Sequence, residues 1–366
     1  MSVPPQPSTS SPDHKSGFIS IVGRPNVGKS TLLNRLLGHK IAIVSPKPQT
    51  TRNRITGIRT LPDAQIVYVD TPGLHPPRGK LGQFMAATAL QALEEVDGVV
   101  FVAEATEDPA ALDETALAPL QKVKAPVLLA LNKVDVVPDK RQLLPLLEAY
   151  AARHPFRELI PISAADGTGV DRLEAAILGL LAPGPAFYPP DQLTDQPETF
   201  FVAETIREKL FLLTRQEVPY ATAVRVEELT ERQVAGRRKD SSSRGRQARS
   251  VRRPIKAGTS ARPQAERVTA EMDKANGRGL PGGPSEGAEV PLRLYVRAEI
   301  FVEQPSQKAI VIGEGGAMLK RVGEAARRDL EAFFGVPVYL DLWVRVRKHW
   351  RRDAAALREL GYRLTS

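Results

Sequence analysis

The chain has 366 residues, 42% of them hydrophobic, and a formal net charge of +9 with a sequence pI of about 9.7. That length allows two domains, and the apolar content can bury real cores, which excludes a wholly disordered chain. No apolar stretch approaches a bilayer span, the Pro- and Ser-rich start at 1–16 lacks the h-region of a signal peptide, and zero cysteines exclude disulfides and thiolate metal sites.

Residues 1–16 therefore read as a loose, disordered tail, and the setting as cytoplasmic. Short β-branched runs follow at 18–22, 64–69, 98–102, 127–131 and 159–162, each reading as a buried strand. Helical spacing at 29–37, 84–94, 139–151 and 170–181 falls between and after them. The alternation predicts an α/β domain over 17–182 with a mostly parallel sheet. A Pro-rich stretch from Pro183 to Pro190 breaks the pattern, so 183–199 reads as a linker. Beyond it, 200–214 predicts an amphipathic helix and 221–229 a strand.

Residues 231–289 differ in kind, with fourteen Lys or Arg against seven Asp or Glu and almost no large apolar side chain. Burial there cannot offset the ordering entropy, and the segment is expected to be disordered. It carries most of the basic excess, which favours a polyanionic partner, either nucleic acid or an anionic membrane surface. Order is expected to resume at 292–302, giving a second domain over 200–366 interrupted by this insert.

Gly23-Arg24-Pro25-Asn26-Val27-Gly28-Lys29-Ser30 has the G-x-x-x-x-G-K-S spacing of a P-loop, between a predicted strand and a predicted helix. Its backbone N–H groups, from Gly23 through Asn26, Val27 and Gly28 to Thr31, are expected to cradle phosphates at a helix N-terminus. Lys29 is then placed on the β- and γ-phosphates and Ser30 on Mg²⁺. Asp70-Thr71-Pro72-Gly73 follows a buried strand. Asp70 fits a carboxylate that holds Mg²⁺, and the Gly73 N–H fits a γ-phosphate sensor.

Asn132-Lys133-Val134-Asp135 follows the next strand but one. A buried Asp135 accepts from both N1–H and the 2-amino group of guanine, whereas adenine offers neither donor. Lys133 would cover the base with its stem, Asn132 would tie the loop to the P-loop, and Ser163-Ala164 would offer a backbone N–H to guanine O6. Between Ile43 and Arg54, Gln49-Thr50-Thr51-Arg52 supplies a switch hydroxyl for the Mg²⁺ shell, with Thr51 preferred and Thr50 as the alternative. Lys29, Thr51 and Gly73 are the expected catalytic set. The bound species are GTP or GDP with Mg²⁺.

The order of these five elements, with Arg24-Pro25-Asn26-Val27, Pro46-Lys47-Pro48-Gln49-Thr50-Thr51-Arg52 and Asp70-Thr71-Pro72-Gly73-Leu74-His75, resembles the bacterial Era family. That family joins a P-loop GTPase domain to a smaller α+β type II KH domain that binds RNA. Consistent with the resemblance, Gly313-Glu314-Gly315-Gly316 forms a G-x-x-G turn between two predicted helices. The next helix runs through Leu319, Val322, Ala326 and Leu330. Val338 to Arg347 alternates as a half-buried strand.

A KH domain clamps about four nucleotides of single-stranded RNA against this turn. Lys320 and Arg321 are the nearest expected cations, with Arg345, Arg347 and Lys348 in reserve and Tyr339, Trp343 and Trp350 as candidate stacking aromatics. Glu314 departs from the family pattern, which favours a basic residue there.

The resemblance implies a switch that binds the 3′ region of small-subunit ribosomal RNA and the 30S precursor, acts as a monomer, and associates loosely with the inner membrane surface. It implies slow intrinsic hydrolysis too, because Leu74 stands where Ras-like GTPases carry a water-orienting glutamine. Asn26 would help to place K⁺ near the phosphates. Two other readings are a GTP-regulated membrane adaptor and a GTPase acting on another structured RNA. For the 231–289 insert the options are a passive loop, an RNA tether and a protein-docking segment.

Overall fold

The computed structural model describes residues 14–45, 47–77, 79–112, 114–233, 254–256 and 292–362. In the first domain β1 (Lys15–Gly23) leads to α1 (Lys29–Leu37), and β2 (Ile55–Leu61) and β3 (Ala64–Asp70) form a hairpin. There follow α2 (Gly79–Gln91), β4 (Gly98–Glu104), α3 (Glu114–Leu117), β5 (Val127–Asn132), α4 (Leu143–Arg153), β6 (Glu158–Pro161) and α5 (Val170–Leu178). The strand order is β2-β3-β1-β4-β5-β6, parallel except for β2.

Every residue of β3 and β5 is buried, as expected of strands covered on both faces. One face packs on Leu32, Leu33 and Leu36 of α1 and Leu173 and Ile177 of α5. The other packs on Leu143, Leu146 and Tyr150 of α4 and Ala89 of α2. Because β1, β3, β5 and β6 are parallel, the segments after their C-terminal ends emerge at one edge of the sheet. That edge is where an open α/β sheet places a ligand.

The strand β2 has no continuous apolar run, and sequence periodicity missed it. The helix α2 starts a turn earlier than periodicity predicts, because Leu81 and Met85 pack against the second domain rather than the first. At the end of the expected 1–16 tail, Lys15 and Ser16 are not loose but pair with β3 and with β7 (Ala182–Pro183), while residues 1–13 lie outside those described. The linker is also laced to the first domain. Gln65 Oε1 accepts from the Phe187 and Tyr188 N–H groups at 2.7 and 2.9 Å, and β8 (Gln192–Pro197) holds Thr56 O through the Thr194 hydroxyl at 2.5 Å.

The second domain opens with α6 (Glu198–Leu213) and the short α7 (Val218–Ala221), then β9 (Ala223–Gln233). After β10 (Pro254–Lys256), which pairs with β8, come β11 (Leu292–Val302), α8 (Pro305–Ile312), α9 (Ala317–Phe334), β12 (Val338–Val346) and α10 (Ala354–Glu359). The sheet order is β12-β11-β9, with β11 parallel to β12 and antiparallel to β9. This arrangement, with α6, α8 and α9 on one face, matches the expected α+β type II KH fold. Apart from the strand residues 231–233 and 254–256, the expected disorder of 231–289 falls on residues outside those described.

One expectation is corrected here. The helix α6 is not amphipathic toward solvent: Val202, Ile206 and Leu210 face the KH core, while Arg207, Glu208 and Lys209 are also buried. Their burial follows from the docking of the first domain against the other side of the helix. Lys40 Nζ, from the loop after α1, lies 2.6 Å from Glu208 Oε2 and 3.1 Å from Asp329 Oδ2. Arg52 and Trp350 meet beneath the same contact.

Candidate nucleotide site and RNA groove

The P-loop joins β1 to α1, and Lys29 at the start of that helix is buried. Its ammonium donates to Gly23 O at 3.0 Å and Arg24 O at 2.8 Å. Burial pushes its pKa down to about 8, partly opposed by the Asp70 carboxylate. Asp70 ends β3 fully buried, and burial pushes its carboxyl upward against the pull of Lys29 and of hydrogen bonds from Ser30 and Thr51.

Those hydroxyls converge. Ser30 Oγ donates to Asp70 Oδ2 at 2.8 Å, and Thr51 Oγ1 lies 2.9 Å from Ser30 Oγ and 3.3 Å from Asp70 Oδ2. Asp70 Oδ1 is buried with no protein partner. Three converging hard oxygens and one unpartnered carboxylate oxygen fit Mg²⁺. The structure brings Thr51 to this cluster, whereas the Thr50 carbonyl is held by Arg207.

Gly73 follows at the rim. A Cβ there would sit 2.6 Å from Pro25 N and 2.8 Å from Pro25 Cα, so this approach of the D-x-x-G turn to the P-loop requires glycine. The next amide, Leu74 N–H, donates to Gly23 O at 3.0 Å, and the Leu74 side chain is buried. Together these segments enclose a cavity of about 380 Å³ lined by Asn26, Gly28, Lys29, Ser30, Thr31, Thr51, Gly73 and Lys133. Ile43, Val44, Gln49 and His75 also line it. Sequence reasoning gave these four no role, although Gln49 and His75 stood in quoted motifs.

At the other end, Asn132 is buried at the end of β5. Its Nδ2 donates to Val27 O at 2.7 Å, the expected tie to the P-loop, and its Oδ1 accepts from Ala164 N–H at 2.9 Å, which extends the tie to the Ser163-Ala164 segment. A second tie was not anticipated: Arg35 Nε of α1 donates to Ala164 O at 3.1 Å. Lys133, at φ 67°, pairs with Glu104 at 2.8 Å. Asp135 is exposed rather than buried, on the single helical turn Val134–Val136 at the rim. With Ser163 and Ala164 it stands outside the phosphate cavity.

The second candidate site is a groove of about 420 Å³ between α9 and the edge strand β12. Gly316, Leu319, Lys320, Gly323 and Arg327 line one side and Tyr339, Leu340 and Leu342 the other. The turn before it needs its glycines, since Gly313, Gly315 and Gly316 have φ of 74°, 55° and 83°. A Cβ on Gly313 would also reach Met318 at 2.7 Å. Glu314 and Arg321 are exposed but do not line the groove, nor do Gly313 and Gly315.

Two further expectations are corrected. Trp350 is no stacking platform: it is fully buried, its indole N–H donating to Ala221 O at 3.0 Å. Arg345 and Arg347 are committed to ion pairs with Glu299 and Glu359 at 2.5 and 2.7 Å. Tyr339 and Trp343 are the exposed aromatics of β12, at 52% and 56%.

Comparison with known proteins agrees with both halves. Residues 18–133 match the family of 50S ribosome-binding GTPases, and 286–351 match the KH domain. The chain is 44% identical over 348 residues to GTPase Era of Geobacter metallireducens, covering 95% of this chain and 98% of that protein. It is 45% identical over 351 residues to GTPase Era of Lacticaseibacillus paracasei, covering 96% and 97%. Among solved structures it is similar to a point variant of Aquifex aeolicus Era bound to GDP·AlF4⁻, with a TM-score of 0.76, 35% identity, and coverage of 96% of this chain and all of that one. The same score, identity and coverage hold for Era in complex with MgGDPNP and nucleotides 1506–1542 of 16S ribosomal RNA. Near-full-length identity of this size, over a GTPase domain joined to a KH domain, shows that the chain belongs to the Era family of GTPases.

Proposed function

We propose that this GTPase is a switch that, in its GTP state, binds small-subunit ribosomal RNA near the 3′ end and acts in 30S subunit assembly. The observation that carries this reading is the presence on one chain of a guanine-nucleotide site and a G-x-x-G groove, in an arrangement shared with the Era structure bound to MgGDPNP and 16S ribosomal RNA nucleotides. The KH half carries the small-subunit reading, since the GTPase half alone is shared with many ribosome-binding GTPases.

In this reading Lys29 and the P-loop amides bind the phosphates, Ser30, Thr51 and Asp70 hold Mg²⁺, and Gly73 N–H senses the γ-phosphate. Bound there, Mg²⁺ would neutralise charge on the phosphate oxygens. Asn132, Lys133, Asp135, Ser163 and Ala164 choose guanine. An exposed Asp135 reads the base only once the base covers it. Leu74 cannot orient water, so intrinsic hydrolysis is slow and rises when a partner completes the site. K⁺ near Asn26 belongs to the same proposal; an unchanged rate on exchange of Na⁺ for K⁺ would remove it.

Gly313, Glu314, Gly315 and Gly316, in the turn that leads into the groove, set the phosphate path, while Lys320 on its wall and the neighbouring Arg321 contribute positive field. The chain acts as a monomer in the cytoplasm, with at most peripheral membrane contact. Among the described residues no helix is long and apolar enough to cross a bilayer. Filter binding of a 16S 3′-terminal RNA with GDP and with GDPNP tests the whole reading. Tighter RNA binding in the GDPNP state supports it. Indifference to RNA combined with co-sedimentation on anionic liposomes would instead favour a membrane adaptor.

A further inference from the structure

Three consecutive switch residues are handled differently, and the second domain does most of the handling. Thr51 stands over the Ser30–Asp70 pair, at 2.9 and 3.3 Å. On its N-terminal side, the Thr50 carbonyl accepts a hydrogen bond from Arg207 Nη2. On its C-terminal side Arg52 leaves the first domain altogether. Its guanidinium donates to Thr222 O at 2.7 Å, Tyr220 O at 3.1 Å and Pro219 O at 3.3 Å, between Phe211 and Trp350.

Arg207 itself is built to hold a fixed position. It is 1% exposed, its Nε donates to Glu204 Oε1 at 2.7 Å, and its guanidinium lies 5.2 Å from the Phe211 ring centre. An arginine fork locked by a carboxylate one turn earlier loses little freedom on making one more bond. The segment it grips is not relaxed: Gln49, just before Thr50, has φ 62°, a conformation that a non-glycine residue keeps only when its surroundings impose it. A metal-facing hydroxyl must be held within about 0.5 Å of its productive place.

We infer that Arg207, a side chain of the KH domain, is a positioning residue for the GTPase site, acting through the Thr50 carbonyl to hold Thr51. This rests on the reading of Thr51 as the switch ligand of Mg²⁺. The first domain then lacks a complete site of its own, and undocking the KH domain releases the hydroxyl. By linkage, GTP that engages Thr51 strengthens domain docking as much as docking strengthens GTP binding. GDP, with no γ-phosphate, gains nothing from it.

The test uses full-length protein and three variants: Thr51→Ala, Arg207→Lys, and Arg207→Met combined with Glu204→Gln so that no buried charge is left unpaired. Dissociation constants for fluorescent GDP and fluorescent GDPNP are measured across a Mg²⁺ titration, beside single-turnover hydrolysis. The double variant should keep GDP affinity within about twofold and lose roughly tenfold in GDPNP affinity, the size of one charge-assisted hydrogen bond. Arg207→Lys should recover part of that loss. Retained GDP affinity reports an intact first domain. If Thr51→Ala weakens GDPNP selectively and the double variant does not, Arg207 only packs, and the inference fails. Equal weakening of GDP and GDPNP in the double variant overturns it as well. If Thr51→Ala leaves GDPNP affinity and hydrolysis unchanged, the reading of Thr51 falls first and the inference with it.

Discussion

Replacing Asn132 by alanine should disconnect the two ends of the nucleotide site. The side chain is buried and makes two opposed bonds, one to Val27 O at 2.7 Å and one from Ala164 N–H at 2.9 Å. Each such bond contributes about 1 kcal/mol net, and a buried group left unpaired costs about 1–3 kcal/mol. Water entering the vacated space would recover part of this, because the lining groups are polar. A total loss of about 2–4 kcal/mol follows. Asn132 joins loops rather than core strands, so most of the loss should fall on ligand binding. A shift of about 2–4 kcal/mol corresponds to roughly 30- to 1000-fold weaker GDP binding. The assay is titration of fluorescent GDP into the full-length variant, with urea unfolding of the nucleotide-free protein beside it. Asn132→Asp should behave worse than alanine, since a carboxylate oxygen would face the Val27 carbonyl. A fall in GDP affinity below about threefold for alanine would refute the claim that these two bonds assemble the site.

Nucleotide affinity should depend on pH through Lys29, whose pKa burial lowers to about 8. Phosphate binding requires the charged ammonium, so affinity should be flat below pH 8 and fall by up to about tenfold per unit above it, read by GDP titration between about pH 7 and 9.5. The same shift means the unfolded chain binds more protons between pH 8 and 10.5, so this group's contribution to nucleotide-free stability rises with pH there. Gly73→Ala should leave GDP affinity within about threefold, yet lower single-turnover hydrolysis roughly a hundredfold, since the Cβ meets Pro25 and shifts a γ-phosphate donor. Asp135→Asn should exchange guanine for xanthine nucleotide, because the carboxamide donates where the carboxylate accepted; competition between GDP and XDP checks it. Glu314→Lys should tighten binding of single-stranded RNA by about fivefold at low salt, with the gain fading in filter assays at high salt.

The nucleotide site was largely legible in the sequence because each part is local. A glycine-rich turn, an Asp ending an apolar run and an Asn-Lys-x-Asp after the next strand but one each declare their strand, and parallel order brings them to one edge. The KH fold was legible for the same reason, from alternation at 338–346 and helical spacing at 319–330. What was not legible depended on the other domain. The 200–214 segment read as an amphipathic helix, yet the docked first domain buries its charges Arg207, Glu208 and Lys209. Trp350 read as a surface aromatic and proved to be a core residue for a like reason. Asp135 went the opposite way: chemistry required it near the base, but its rim position leaves it exposed. The edge strand β2, with apolar residues broken by Gly57 and Arg59, carries too weak a pattern to be read alone.

The cluster around Trp350 bears on how the protein is made. Leu81 and Met85, on the helix that follows the D-x-x-G turn, pack with Trp350, Leu357, Leu360 and Tyr362. Synthesis proceeds from the N-terminus, and domains fold as they emerge. The GTPase half can therefore close its sheet while that helix still shows an apolar flank to water. Only when residues up to 362 have left the ribosome can the flank be covered and Arg52 meet the Tyr362 hydroxyl, 3.3 Å from its Nη1. Competence to switch would then arrive with the last stretch of the second domain, so a chain arrested before that point would carry a nucleotide site but not the surface that reads it.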